Sequence, residues 1–402
     1  MTHRRYHLDW LRIFSVFAVF LHHVLMPFNG DEFHITNAEH SKTLDDLMVY
    51  FEQFRLPLLF FISGVSTCFT LRKRSWKGFV YKRFLRLFIP LTVGVILLVP
   101  PQIYFEEYAT NEPFWERYLQ CVAALKVNHL WFIENLFYLS ICCVPILLFL
   151  RSPKSKRLKE RISAATNNVG LISWGVSLAI LVMISKFFFP SSSKSIFNLS
   201  STVYYSFFFI AGILFENLAG LWKITATKRK KNARFALIAT ILFYAYYFVP
   251  GEWIAPYMSL TLRWQLWYFT SSLVSWSVLI TIVGYAQIWF SHSNRFLKHL
   301  NEAVYPFYML HQTIIVVFAF YIVKIPAGIP VKIVLLLSSS FSVISFIYLM
   351  LIKPFPLVRF LFGMKAYPTP QKDDFTEPNF NNQTPPSKFN LTGAKKRKTI
   401  YR

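Results

Sequence analysis

The sequence predicts an all-α integral membrane protein with about ten transmembrane helices and both termini in the cytoplasm. The 402-residue chain is 54% apolar with a mean hydropathy of +0.40. Apolar windows of about 20 residues, each long enough to cross a bilayer, recur along it. The ten predicted spans are roughly 8–28, 50–71, 84–104, 130–150, 169–189, 202–219, 233–250, 266–290, 303–323 and 332–352. The first is not expected to be a cleaved signal peptide, because it is charged and has no small-residue cleavage site.

The distribution of basic residues predicts the orientation of these spans. Of the 43 Lys and Arg residues, 33 fall on the side that holds both termini and 7 fall in the opposite loops. This excess alternates with every span, as the positive-inside rule requires. The net charge of +24 is therefore a signal of topology in a lipid bilayer, and no nucleic-acid partner is expected.

The composition changes near the C-terminus. A membrane domain is predicted over 1–360 and a disordered basic cytoplasmic tail over 361–402, which is rich in Pro, Asn and charge. The 4 cysteines form no disulfide framework, and the chain has no zinc-binding spacing and no phosphate-binding glycine loop. No metal is expected.

The first span carries three ionisable residues that a lipid-facing helix would not tolerate, namely Asp9, Arg12 and His23. At about 100° per residue, Arg12 and His23 return to within about 20° of each other, and Asp9 lies about 40° from His23. His22 points away from this line. Ionisable residues on one stripe of a span face a bundle interior or a polar cavity. The stripe is a candidate catalytic site, with His23 as the general base because imidazole titrates near neutral pH.

A second candidate site lies where the third predicted span begins. Arg83 and Arg86 are three residues apart, so they project from one face of a helix. The planar fork of an arginine matches phosphate oxygens better than a lysine does. The competing interpretation is that the basic loop only obeys the positive-inside rule, and we favour it for Lys73, Arg74 and Lys77.

Three further polar residues lie near the predicted outer ends of the second and fourth spans, close to the depth of His23. They are Arg55, His129 and Glu134. Substrate binding and mutual charge neutralisation between helices are equally good interpretations. His311, in the ninth predicted span, is expected to be a hydrogen-bonded core residue.

Four segments in order resemble the membrane-bound acyltransferase 3 family. YHLDWLRIFSVFAVFLHHV resembles its first helix, which bears an arginine, ten intervening residues and a histidine, matched here by Arg12 and His23. FRLPLLFFISGVSTCFTLRKRSWKGFVYKRFLRLFIP resembles its second helix, basic loop and R-x-x-R entry, matched by Arg83 and Arg86. HLWFIENLFYL and LNEAVYPFYMLHQ resemble two further blocks, especially those of the glucan-biosynthesis succinyltransferase-like branch. The similarity covers nearly all of 6–352.

The resemblance implies an enzyme of the bacterial inner membrane that moves an acyl group, acetyl or succinyl, from cytoplasmic acyl-CoA to a hydroxyl of an extracytoplasmic glycan. Donor phosphates would meet Arg83 and Arg86, and the acceptor would meet the layer of Arg55. Direct transfer and a route through an acyl-enzyme both stay open. The alternative is a polytopic solute transporter. Without the family resemblance, this function would account for the buried charges equally well. A lipid-handling scaffold without catalytic activity is disfavoured because it would not explain the presence of His23.

Overall fold

The computed structural model describes residues 5–107, 113–191, 193–292 and 294–365, without the side chains of Asn168, Ala219 and Arg295. All the regular elements within these ranges are helices. Of the predicted tail, residues 366–402 lie outside the described residues, so its disorder stays a prediction.

The helices are α1 (Tyr6–Leu25), α2 (Lys42–Arg72), α3 (Trp76–Arg83), α4 (Ile89–Leu97), α5 (Val99–Glu106), α6 (Phe114–Ala123), α7 (Trp131–Cys142), α8 (Val144–Arg151), α9 (Lys156–Val169), α10 (Ile172–Phe188), α11 (Leu199–Asn217), α12 (Ala219–Thr227), α13 (Arg229–Tyr247), α14 (Gly251–Ile254), α15 (Leu260–Trp289), α16 (Arg295–Ile322), α17 (Ile329–Ile347) and α18 (Pro356–Leu361). Short 3₁₀ turns at Met26–Phe28, Asn128–Leu130 and Pro153–Ser155 and π-helical turns at Phe84–Phe88 and Tyr348–Ile352 join some of them.

Within the described residues, 7 helical segments are long and apolar enough to cross a membrane, and 2 bent pairs raise the number to 9 if each pair is one span. The 7 segments are Tyr6–Phe28, Lys42–Arg72, Trp76–Glu106, Leu199–Asn217, Leu260–Trp289, Phe296–Ile322 and Ile329–Ile352. The bent pairs are Phe114–Cys142 with Val144–Arg151, at 44°, and Pro153–Asn167 with Ile172–Phe188, at 106°. The prediction of a polytopic all-α membrane protein is therefore confirmed.

The seventh predicted span, 233–250, corresponds to α13, which is not among these candidates. Four of its first six residues are Lys or Arg, which lowers its mean hydropathy. It nevertheless runs antiparallel beside the long helix α15. The Tyr246 hydroxyl donates to the Arg263 carbonyl at 2.6 Å near one end, and at the other the side chain of Arg229 packs against Gly284.

Helices α1 and α16 run parallel, although they are far apart in the chain. Arg12 of α1 donates to Asn301 of α16. Further along both helices, the ring centroid of His23 lies 5.0 Å from that of His311. Residue numbers rise together along the two helices. This pairing brings the polar stripe of the first span against α16.

Helices α2 and α11 approach each other closely at two glycines. A Cβ atom on Gly64 would overlap the carbonyl of Phe209, and one on Gly212 would overlap the carbonyl of Phe61. Small residues allow this kind of backbone approach between membrane helices, where packing rather than water exclusion drives association. The crossing fixes the position of α2, which carries residues of both candidate sites.

Candidate active site

A cavity of about 250 Å³ lies among α1, α2, α16 and the turn before α7. Many of its lining side chains are titratable. These are His22, His23, His34, Glu52, Arg55, His129, Lys194, Tyr308 and His311. The sequence placed several of these residues in one layer, and the structure brings them to one cavity.

His23 is held in one orientation by the last turn of α1. Its Nδ1 lies 2.8 Å from the carbonyl oxygen of Val19, and because a carbonyl only accepts, Nδ1 carries the hydrogen. In the neutral ring Nε2 then keeps its lone pair, which is the form that can take a proton. His23 is partly exposed and lines the cavity, so this nitrogen is available to a ligand there.

His129 is fixed through both ring nitrogens. Its Nε2 donates to the Met309 carbonyl at 2.9 Å, and its Nδ1 accepts from Gln102 Nε2 at 3.2 Å. With both nitrogens engaged and the side chain only 5% exposed, His129 forms a rigid wall of the cavity. It is poorly suited to proton transfer.

His311 lies between the other two rings, 5.0 Å from His23 and 5.4 Å from His129 between ring centroids. Its Nδ1 donates to the carbonyl of Tyr308, as expected of a core histidine. Its Nε2, however, is buried without a hydrogen-bond partner among the described residues. The side chain is 1% exposed, so His23 is the most accessible of the three rings.

Glu52 and Arg55 line the α2 side of the same cavity. Glu52 Oε1 accepts from Arg55 Nη2 at 3.2 Å and lies 3.3 Å from His22 Nε2. His22 therefore lines the cavity too, with its ring centroid 5.4 Å from that of His23. The Nε and Nη1 groups of Arg55 are buried and have no partner among the described residues. Unpaired buried donors are costly, and a ligand oxygen in the cavity would satisfy them.

Arg12 and Asp9 form a separate cluster that does not line this cavity. Arg12 donates to Asn301 Oδ1 at 3.1 Å and to Ser66 Oγ at 2.8 Å, and its Nη1 lies 3.5 Å from Asp9 Oδ1. The eleven residues from Arg12 to His23 span about 16 Å of helix. The two ends of the stripe therefore belong to two polar layers of the bundle.

Arg83 lies beside this second cluster. Its Nη2 donates to Thr67 Oγ1 at 2.5 Å, and Thr67 directly follows the serine of α2 that binds Arg12. Arg86 instead donates to the carbonyl of Gly363 at 3.2 Å. The structure thus brings Arg83 together with Arg12 and turns Arg86 towards the segment after α18.

Of the three residues predicted in the outer layer, Arg55 and His129 line the cavity. Glu134 does not, and lies half-buried in the first turn of α7. Among the described residues, no three His, Cys, Asp or Glu side chains are grouped closely enough to hold a metal ion.

His34 and Lys194 also line the cavity, although neither was selected from the sequence. His34 Nδ1 pairs with Glu106 Oε2 at 2.7 Å, and its Nε2 lies 2.8 Å from Gln312 Nε2. Both residues are in loops between helices. Loop residues follow no helical period, so no pattern in the sequence could connect them with His23.

A family model described as an acyltransferase domain matches residues 5–352 of the chain. The chain is also similar to glucans biosynthesis protein C from three Escherichia coli strains, O81 (ED1a), SMS-3-5 and K12, at 24% identity over 254 residues. Each match covers 60% of this chain and 66% of the relative. No solved structure matches. Because the family model covers most of its length, the chain belongs to the acyltransferase 3 family and is an acyltransferase.

Proposed function

We propose that this enzyme moves an acyl group, acetyl or succinyl, from cytoplasmic acyl-CoA to a hydroxyl of an extracytoplasmic glycan in a bacterial inner membrane. The observation that carries the proposal is the orientation of His23. Its Nδ1 is hydrogen-bonded to Val19, which leaves the lone pair of Nε2 for a ligand, and the cavity that it lines is also lined by Arg55 with its unpaired donors. The names of the relatives, glucans biosynthesis protein C, favour a glucan as the acceptor.

The proposed topology has ten crossings, with both termini in the cytoplasm. The parallel pairing of α1 with α16 supports it. If each bent pair crosses once, α16 is the ninth crossing only when α13 is counted, and an odd-numbered crossing runs parallel to the first. Without α13 the two helices would run antiparallel. The excess of basic residues on one side supports the same orientation.

We assign the donor to the layer of Arg83, Arg86 and Arg12. These arginines are on the side predicted to be cytoplasmic, where acyl-CoA is available, and guanidinium groups bind phosphates in a bidentate manner. Asp9 and Asn301 hold Arg12 in place. The thin pantetheine arm would extend from this layer towards His23 and deliver the thioester there.

We assign the transfer itself to the cavity. His23 Nε2 takes the proton from the acceptor hydroxyl as the oxygen bonds to the acyl carbonyl carbon. The carbon–sulfur bond then breaks, and the coenzyme A thiolate leaves with the proton from His23. The N–H groups of Arg55 bind the acceptor, and His129 bounds the cavity. Glu134, which does not line the cavity, has no role in this scheme.

The proposal is tested with inside-out membrane vesicles that contain the protein and a glucan acceptor in the lumen. External radiolabelled acetyl-CoA or succinyl-CoA should label the glucan and release one free thiol for each group transferred. A solute transporter would move its substrate without release of thiol. Vesicles with His23→Asn protein are the control for membrane leakage and for other transferases. Thiol release and labelling equal to those of this control would contradict the proposal.

A further inference from the structure

A second chamber of about 360 Å³ lies beside the cavity, among α2, α10, α11 and α15. The two share Glu52, Arg55, Leu56 and Lys194 as lining residues, so they meet at the ion pair of α2. A ligand whose reacting part is near His23 could therefore extend past Arg55 into the second chamber. The mechanism proposed above gives this chamber no role.

The lining of the second chamber combines aromatic rings with hydroxyl groups. Tyr204, Trp267 and Tyr268 are partly exposed in it, and Ser271 and Ser272 of α15 lie beside them. A sugar ring has apolar C–H faces and a rim of hydroxyls, and it is recognised by flat aromatic surfaces together with a few fixed polar groups. The chamber offers both.

Tyr204 is fixed in a way that follows from the sequence of α2. Pro57 has no N–H, so the carbonyl of Gln53 lacks its partner within the helix. The Tyr204 hydroxyl lies 3.1 Å from that carbonyl and 2.8 Å from Ser275 Oγ. The ring of Tyr204 is thereby fixed at the chamber before a ligand binds. Binding to this ring therefore costs little further side-chain entropy.

Two polar groups at the chamber have no partner among the described residues. Ser272 is 1% exposed and its Oγ makes no hydrogen bond, and the Nε and Nη1 of Arg55 are likewise unpaired where the chamber meets the cavity. Buried polar groups are normally paired, and unpaired ones next to a cavity are candidates for ligand contacts. Sugar hydroxyls both donate and accept, so they would satisfy all three atoms.

The lining argues against a lipid chain as the ligand. An apolar groove among α1, α2 and α15, which also reaches Arg55, shows the composition suited to lipid, with Leu11, Phe14, Leu58 and Trp289 among its lining residues. The second chamber is lined by tyrosines and serines where the groove has aliphatic and other apolar side chains. Of the two lysines that line this chamber, Lys186 already donates to a backbone carbonyl in the loop after α10.

We propose that the second chamber binds a sugar unit adjacent to the unit that is acylated, so that the acceptor is an oligosaccharide held at two subsites. This inference rests on the proposed function. It predicts that a short acceptor reaches only the cavity and lacks the contacts of the second chamber. Binding energy from that non-reacting unit should then appear in the acceptor KM.

The test compares a linear glucose oligosaccharide with methyl glucoside as acceptors for the protein in lipid nanodiscs. Tyr268→Ala should raise the KM for the oligosaccharide about tenfold, since one lost sugar–aromatic contact is worth about one decade in affinity. The KM for methyl glucoside and the donor KM should stay within about twofold. Tyr285→Ala is the matched control, because Tyr285 is on the same helix but lines the apolar groove instead. It should change neither acceptor KM.

Binding is measured separately by quenching of tryptophan fluorescence by the oligosaccharide, with Trp267→Phe protein as the reference. Loss of quenching in Tyr268→Ala protein, and its retention in Tyr285→Ala protein, would support the second subsite even if no acyl transfer were detected. An equal rise in KM for both acceptors, or quenching by a fatty acid but not by the oligosaccharide, would overturn it. Absence of transfer by the unaltered protein would instead contradict the proposed function.

Discussion

Replacement of His23 by Asn distinguishes the roles of the two imidazole nitrogens, because it keeps a counterpart of one and removes the other. Nδ1 of His23 donates to the Val19 carbonyl at 2.8 Å, and the amide nitrogen of Asn can occupy nearly the same position. Asn has no counterpart of Nε2. The variant should therefore keep the hydrogen bond that orients the side chain in α1 while it loses the base.

The expected loss of kcat is at least about 100-fold and up to about 10,000-fold, the range for a positioned acid–base group. That corresponds to about 2.7 to 5.4 kcal/mol of activation free energy. Donor KM should change little, because the donor phosphates are assigned to the other layer. The melting temperature should also change little, since the Val19 contact survives. Initial rates of label transfer to glucan and thermal unfolding in detergent measure these quantities.

His22→Asn and His311→Asn are the matched controls. His22 has its Nε2 directed at Glu52, 3.3 Å away, and His311 is 1% exposed. Each of these two substitutions should therefore lower kcat by about tenfold or less. The reasoning is refuted if His23→Asn protein keeps a kcat within about tenfold of the unaltered enzyme. It is also refuted if His311→Asn abolishes transfer while His23→Asn does not, because His311 would then be the base.

Three further predictions concern the donor layer, the packing and the sidedness. Joint replacement of Arg83 and Arg86 by Lys should raise the donor KM at least about tenfold with kcat nearly unchanged, since charge remains but the fork is lost; initial rates at varied acyl-CoA test this. Gly64→Ala should destabilise the protein by about 1 to 3 kcal/mol, because the new Cβ meets the backbone of α11, and thermal unfolding in detergent would show a lower melting temperature. In a cysteine-free background, Ala38→Cys should react with an impermeant maleimide in intact spheroplasts and Lys154→Cys only after lysis, since both positions are exposed but on opposite sides of the proposed membrane. The reverse labelling pattern would place the donor layer outside the cell.

The helical period of the first span predicted that Arg12 and His23 share a face, and both do face α16, at Asn301 and His311. The same period was less informative for His22, which reaches the cavity through Glu52. A stripe about 100° wide leaves room for a neighbour at its edge, and the width of a cavity depends on the helices around it. The sequence therefore selected His23 as a lining residue, but the helical period set His22 apart from the stripe, and the structure shows that His22 lines the same cavity.

The sequence by itself determined the class of protein and the helices on which the polar residues lie, because apolar length and periodicity are properties of one segment. Only the tertiary structure decided which residues meet. It joined Arg12 to Arg83 through adjacent residues of α2, left Glu134 outside the cavity and brought His34 and Lys194 into it. These contacts depend on crossing points such as the two glycines between α2 and α11 and on the bends of broken helices. Such features arise from packing between segments distant in the chain, which no local pattern encodes.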